Sequence, residues 1–171
     1  RQIVLNTFSD ILSEKDVRIA LQHATNKQNI SDGIFYGLEK PADTLFASTV
    51  PYCDIELEPY VYDLELAGQI LDEAGWKMGS GNVREKDGQP LNIDLLYNSD
   101  SVTEKSIAEY LQSEYQSIGV SLNIHGEEEQ SYRDNMKAGN FDMVFNICWG
   151  TPYDPQSSLA AMRAPVYGDY A

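Results

Sequence analysis

From Leu91 to Ile147 the chain reads strand, helix, strand, helix, strand. Leu91–Tyr97 and Val120–Ile124 are β-type runs, Val102–Ile118 and Glu129–Ala138 are helical, and Met143–Ile147 closes the series. Ile107, Leu111, Tyr115 and Ile118 recur on one face of the long helix, and Gly119 stands where it must stop. Short returns through a helix favour parallel strands with right-handed crossovers, so the fold class is α/β. Ligands in open sheets of this class bind beyond the carboxyl ends of the strands. The loop after the last strand, Cys148-Trp149-Gly150-Thr151-Pro152-Tyr153-Asp154-Pro155, is therefore the first place to look for function.

The first half supplies what packs on this core. Ile3-Val4-Leu5 is a short β-type run, and Ser13-Glu14-Lys15-Asp16 has the pattern of a helix cap answered by an acid three residues on, so a helix should begin near Glu14. Val17, Ala20, Leu21 and Ala24 form its inward face. A second helix is expected from about Lys27 to Tyr36, stopped at Gly37, and the two read as a helical hairpin. Pro41, Pro51 and Pro59 mark Glu39–Tyr62 as an extended surface loop. Asp63 caps a helix through Ala74, with Leu66, Ile70 and Leu71 as its stripe and Gly75 as its stop. Val83–Lys86, between Gly79–Asn82 and Asp87–Pro90, reads as a small exposed hairpin with no chemistry of its own. A last helix is expected around Gln156–Arg163, and no strand follows it to close the sheet. The whole of 1–171 is read as one domain, a fragment of something larger.

Charge narrows the partners. With 12 Lys+Arg against 27 Asp+Glu the net charge is −15, and no basic run offsets it, so a phosphate backbone would be repelled and nucleic acid is not expected. Apolar runs are a few residues long, far below the roughly 20 that span a bilayer. Arg1–Asn6 lacks the pattern of a signal peptide, as a processed or excised chain would. Cys53 and Cys148 belong to no metal-type spacing, and Cys148, in an apolar segment, reads as core packing.

Little points to catalysis. His23 and His125 are the only histidines, neither with a nucleophile or acid at a telling spacing, and no nucleotide-binding glycine motif follows a strand. His125-Gly126-Glu127-Glu128-Glu129 has the composition of a cation site, yet carboxylates opening a helix are also what the helix dipole favours, and the structural role is the simpler one. Trp149, Tyr153 and Arg163 stand apart: two aromatics and one of few basic residues gather around a strand-end loop. Aromatic faces with a guanidinium suit a small anionic or chelated ligand, although a strand-end Trp also serves as a lid on a core.

Three stretches carry a resemblance. They are Ser13–Gly37 with Ala42–Phe46 and Val50-Pro51-Tyr52; Tyr62-Asp63 through Ala74-Gly75-Trp76 with Arg84–Leu91; and Gly126–Glu129 through Phe141 to Trp149–Pro155 and Met162-Arg163-Ala164-Pro165. Together they resemble the C-terminal lobe of the extracytoplasmic solute-binding proteins that serve peptide and nickel ABC importers. The Trp-Gly-x-Pro-Tyr-Asp-Pro segment with the later Met-Arg-x-Pro is similar to the nickel-binding branch.

The resemblance implies a type II periplasmic-binding-protein-like lobe, here a β-α-β-α-β core with an added helical hairpin. It implies a monomer, in the periplasm or lipid-anchored, that captures nickel with a small organic chelator or histidine, delivers it to an ABC permease, carries no cofactor and is not an enzyme. By it Trp149 and Tyr153 line the pocket, Arg163 holds a chelator carboxylate, and Tyr167 stands where some nickel binders have a metal-ligating histidine. That substitution puts direct coordination by this lobe in question, and a chelator supplying most donors removes the difficulty. A peptide binder of the same superfamily and a small α/β enzyme are the alternatives.

Overall fold

A computed structural model describes residues 1–48 and 50–146. Its centre is a four-stranded sheet in the order β1 (Gln2–Leu5), β7 (Met143–Asn146), β5 (Asn92–Asn98), β6 (Ser121–Glu127). Strand β5 runs parallel to both neighbours, as the strand–helix–strand pattern requires, while β1 lies antiparallel at the edge, Gln2 opposite Asn146 and Leu5 opposite Met143.

Because side chains alternate across a strand, the sheet feeds two cores. Ile93 and Leu95 of β5, Leu122 of β6 and Met143 and Phe145 of β7 face one side. There they meet Ile107, Ala108, Leu111 and Tyr115 of α4 (Val102–Ser117). Behind lie α1 (Lys15–His23), α2 (Lys27–Phe35) and α3 (Leu64–Glu73). On the other side Leu96 and Val144 meet Tyr132 of the amphipathic helix α5 (Glu129–Ala138) and Phe141 of the loop that follows it, a smaller core. The buried face of α4 and the helix stops fall where the sequence puts them.

Packing between helices follows small residues rather than chain order. Ala20 and Ala24 of the α1 region and Ala67 of α3 are fully buried, and side chains this short let α1 and α3 approach closely, whereas α2 packs on α4. The consecutive pair α1–α2 thus takes different partners. The stripe on α3 is correspondingly rotated from the expected one: Ala67 and Leu71 are buried and Leu66 is exposed. The start of α1 also differs. Glu14 occupies the cap position without a side-chain capping bond, its carboxylate accepting instead from Trp76 and Lys86, while the Ser13 hydroxyl donates to the Asp10 carbonyl at 2.8 Å. The long loop is extended as expected and is pinned where it returns. His23 Nδ1 lies 2.7 Å from the Val61 carbonyl with its ring edge-on to Tyr60, and the Tyr62 hydroxyl donates to Glu114 at 2.5 Å.

The expected exposed hairpin is the main surprise. Lys77–Met78 (β2), Arg84–Lys86 (β3) and Gln89–Pro90 (β4) form a second, antiparallel sheet, turned at Asp87-Gly88, where both φ values are positive. Arg84 is 6% exposed. Its Nε donates to the Ile118 carbonyl at 2.7 Å, and Nη1 donates to the Trp76 carbonyl at 2.7 Å and to Asp72 at 2.8 Å. One guanidinium therefore satisfies the C-cap carbonyl of α4, where the helix dipole favours a cation, and the Trp76 carbonyl in the turn after α3. Gly119 completes the joint: its φ is +82°, and a Cβ there would lie 2.8 Å from Arg84 Cγ.

Replacing Arg84 with Met should cost about 3 kcal/mol in urea unfolding, since two buried carbonyls lose their donor. Asp72 is held below the usual carboxylate range, chiefly by its hydrogen bond to Arg84. A depressed folded pKa stabilises above the unfolded value and fades as pH falls through the folded one. Wild type should accordingly lose more stability than Asp72→Asn on acidification below about pH 4, measured by denaturant titration across that range.

Candidate ligand-binding edge

The parallel strands β5, β6 and β7 end on one side, and α4 and α5 begin there. The turn after β5 is built by its own side chains. Asn98 Oδ1 accepts the Asp100 N–H at 2.9 Å, and Ser101 Oγ accepts the Glu104 N–H at 3.2 Å to cap α4. Glu104 reaches back to accept the Asn98 N–H at 3.0 Å, which secures a buried carboxylate at the positive end of the helix. The Ser99 N–H donates to the Glu127 carbonyl at 2.8 Å, locking this turn to the end of β6. Asn98 Nδ2 donates to Glu129, which also pairs with Arg133, and Glu127 accepts the Ser131 hydroxyl at 2.7 Å.

Tyr132 of α5 sets the third strand end. Its phenol is buried and donates to the Phe145 carbonyl, one residue before β7 finishes at Asn146. Burial, reinforced by Glu104 and Glu129, pushes its pKa well above the usual tyrosine value, so it stays a donor throughout the physiological range. No expectation from the sequence included Tyr132. Its spacing of four from Met136, which packs against the same small core, is the signal that was present.

The sequence-derived site residues Trp149, Tyr153, Arg163 and Tyr167 lie outside the described residues, as do Cys148 and the helix expected at Gln156–Arg163. The acidic run is described. Glu127 and Glu129 are engaged as above, Glu128 precedes α5, and His125 Nε2 lies 3.2 Å from Asp94 Oδ1, which agrees with the structural reading of that run. Among the described residues no group of three or more His, Cys, Asp or Glu side chains is arranged to hold a metal ion.

Residues 1–169 match the family model described as bacterial extracellular solute-binding proteins, family 5 Middle. The chain is 41% identical over 169 residues to the nickel-binding periplasmic protein of Escherichia coli, covering 98% of this chain and 32% of that protein. It superimposes on the crystal structure of NikA from Brucella suis in complex with Fe(III)-EDTA with a TM-score of 0.90 and 44% identity, over 98% of this chain and 34% of that one. On AppA from Bacillus subtilis in complex with a nonapeptide the TM-score is 0.81 at 25% identity, over 90% and 31% of the two chains. The chain thus spans about a third of the length of these relatives.

Removing the phenol of Tyr132 by substitution with Phe should cost about 1–3 kcal/mol in chemical denaturation, because the Phe145 carbonyl loses its donor in a buried site.

Proposed function

The chain belongs to the bacterial extracellular solute-binding proteins of family 5, and from that premise we propose that it forms one lobe of a two-lobed importer component that captures nickel as a chelate outside the cytoplasmic membrane. Members of this family bind substrates for ABC permeases rather than transform them. The observation that carries the nickel reading is the higher identity to the nickel-binding protein and to NikA than to the peptide-bound neighbour.

In this reading Trp149 and Tyr153 provide rigid aromatic walls, and the Arg163 guanidinium grips a chelator carboxylate in bidentate fashion. Tyr167, a phenol where an imidazole would coordinate, leaves most donor positions on Ni²⁺ to the chelator, histidine or a small carboxylic acid. The protein acts as a monomer, in the periplasm or tethered by lipid, and hands the chelate to the permease. A second reading, a peptide binder that holds its ligand through main-chain bonds, is favoured by the fit to the nonapeptide complex.

The test is binding of Ni²⁺ to the full-length protein, with and without histidine or a tricarboxylate, and to its Trp149→Ala and Arg163→Ala variants. Chelated nickel should bind, and each variant should weaken it by about tenfold or more. Binding of peptides with no response to any nickel chelate would establish the second reading instead. The 171-residue chain alone should bind weakly, because a cleft between lobes needs both walls to bury its ligand; tight stoichiometric nickel binding by it would overturn the two-lobed site.

A further inference from the structure

Residues 36–62 turn most of their apolar side chains outward. Of the thirteen large hydrophobic side chains exposed among the described residues, nine lie in this one segment. Tyr36, Leu38 and Tyr52 are 84%, 86% and 96% exposed, and Ile55, Leu57 and Val61 are each more than half exposed. Nine such side chains amount to on the order of several hundred Å² of apolar surface, the scale that marks an interaction surface rather than ordinary scatter.

The segment is tied down along its length. Ser31 Oγ donates to the Glu39 carbonyl at 2.5 Å, and Lys27 Nζ donates to the Ala42 carbonyl at 3.2 Å and to Asp43 at 3.0 Å. The Arg1 guanidinium lies 5.4 Å from the centre of the Phe35 ring and pairs with Glu39 at 3.4 Å. In the middle, the Val50 N–H donates to the Ala47 carbonyl and the Cys53 N–H to the Val50 carbonyl, each at 3.0 Å. Val50 is the one buried residue of the segment among those described. The far end is pinned at His23 and Glu114. The apolar side chains therefore project from a backbone already held in place, which lowers the ordering cost of packing something against them.

Position and charge narrow what that something is. Gln2 pairs with Asn146 at the end of β7, so Arg1, Phe35 and Glu39 put the start of the segment beside the candidate edge. Tyr62 bonds to Glu114, three residues before α4 finishes at Ser117, so the segment runs from that edge down the flank of the lobe. Asp54, Glu56 and Glu58 alternate with Ile55 and Leu57, all five exposed, and none of these carboxylates is paired with a Lys or Arg among the described residues. A complementary surface brings apolar side chains and positive charge. The chain spans about a third of the length of its relatives, which leaves about two-thirds of such a polypeptide to supply it.

We propose that a segment of the parent polypeptide outside residues 1–171 packs along this flank, with apolar side chains seated on Tyr36, Leu38, Tyr52, Ile55 and Leu57 and with Lys or Arg facing Asp54, Glu56 and Glu58. The contact is fixed, made with or without the transported ligand. It presupposes that the chain is one part of a longer, two-lobed protein, as proposed above, but not which solute is carried.

The test uses purified full-length protein without ligand or permease. Tyr36 and Tyr52 should be nitrated by tetranitromethane at least about tenfold more slowly in the native protein than in urea, and Glu56→Lys with Glu58→Lys should speed nitration of Tyr52 by about threefold or more by setting like charges against each other. Benzoylphenylalanine placed at position 38 or 57 should, on illumination, join to residues of the same polypeptide outside 1–171. Nitration at the rate seen in urea overturns the proposal, as do cross-links confined to residues 1–171 or joining two copies, and protection that appears only when the permease is added. An unchanged Tyr52 rate in the charge-reversed variant overturns the basic complement. Exposed tyrosines in a protein that still binds a nickel chelate or peptide refute this contact and leave the import function standing, whereas protected tyrosines in a protein that binds neither do the reverse.

Discussion

Strand β5 is the constraint on which the rest depends. It pairs in parallel with β6 on one side and β7 on the other, and parallel neighbours cannot be joined by tight turns. Helices must carry the chain back, and α4 and α5 do so on opposite faces of the sheet. The two cores follow from that single requirement, as does the gathering of three strand ends and two helix starts on one side. The placement of the candidate edge is therefore a consequence of strand direction, not of any residue selected for binding.

The second constraint is electrostatic and local. The end of α4 and the turn that follows α3 both meet β3, where unsatisfied carbonyls would be costly if left dry. Arg84 supplies donors to both from one rigid fork, with Asp72 half in solvent as its counter-charge. An apolar residue would pack there yet leave the carbonyls unpaired. This is why a strand of three residues in a minor sheet bears on how the larger sheet's helices are arranged.

Periodicity made the elements of the core legible, and turn chemistry made their ends legible. Ile107, Leu111 and Tyr115 are buried because a 3.6-residue repeat admits only one inward face. What periodicity could not carry were the interactions between distant residues. A charged residue inside Val83–Lys86 reads as solvated until the helix ends it meets are known, so Arg84 was invisible as a joint. Leu66 was expected inside because hydrophobicity ranks it above Ala67, whereas close approach of α1 rewards the smaller side chain. Tyr132 and Glu104 support the strand ends through bonds to backbone atoms, a role that residue type alone does not announce. Trp149, Tyr153 and Arg163 stood out by gathering around a strand-end loop, and resemblance added Tyr167 and a role for each; all four lie outside the described residues.

Charge at the edge bears directly on what Arg163 would have to do. Asp100, Glu104, Glu127, Glu128 and Glu129 surround the strand ends, and the basic residues near them, Lys105 and Arg133, are paired with Glu109 and Glu129. Such a surface resists a ligand that presents carboxylates and welcomes one that presents a cation. A metal chelate presents both, a positive centre wrapped in carboxylate or amino-acid donors. Under the nickel reading the described edge stabilises the cationic centre at a distance, and the carboxylate periphery needs a positive group of its own. Within this chain Arg163 is the one Lys or Arg that follows β7 in sequence, so under that reading the grip on the chelator would fall to Arg163 and the field around the metal to the described edge. The opposition of the two charges would then favour ligands that carry both over free anions or free metal.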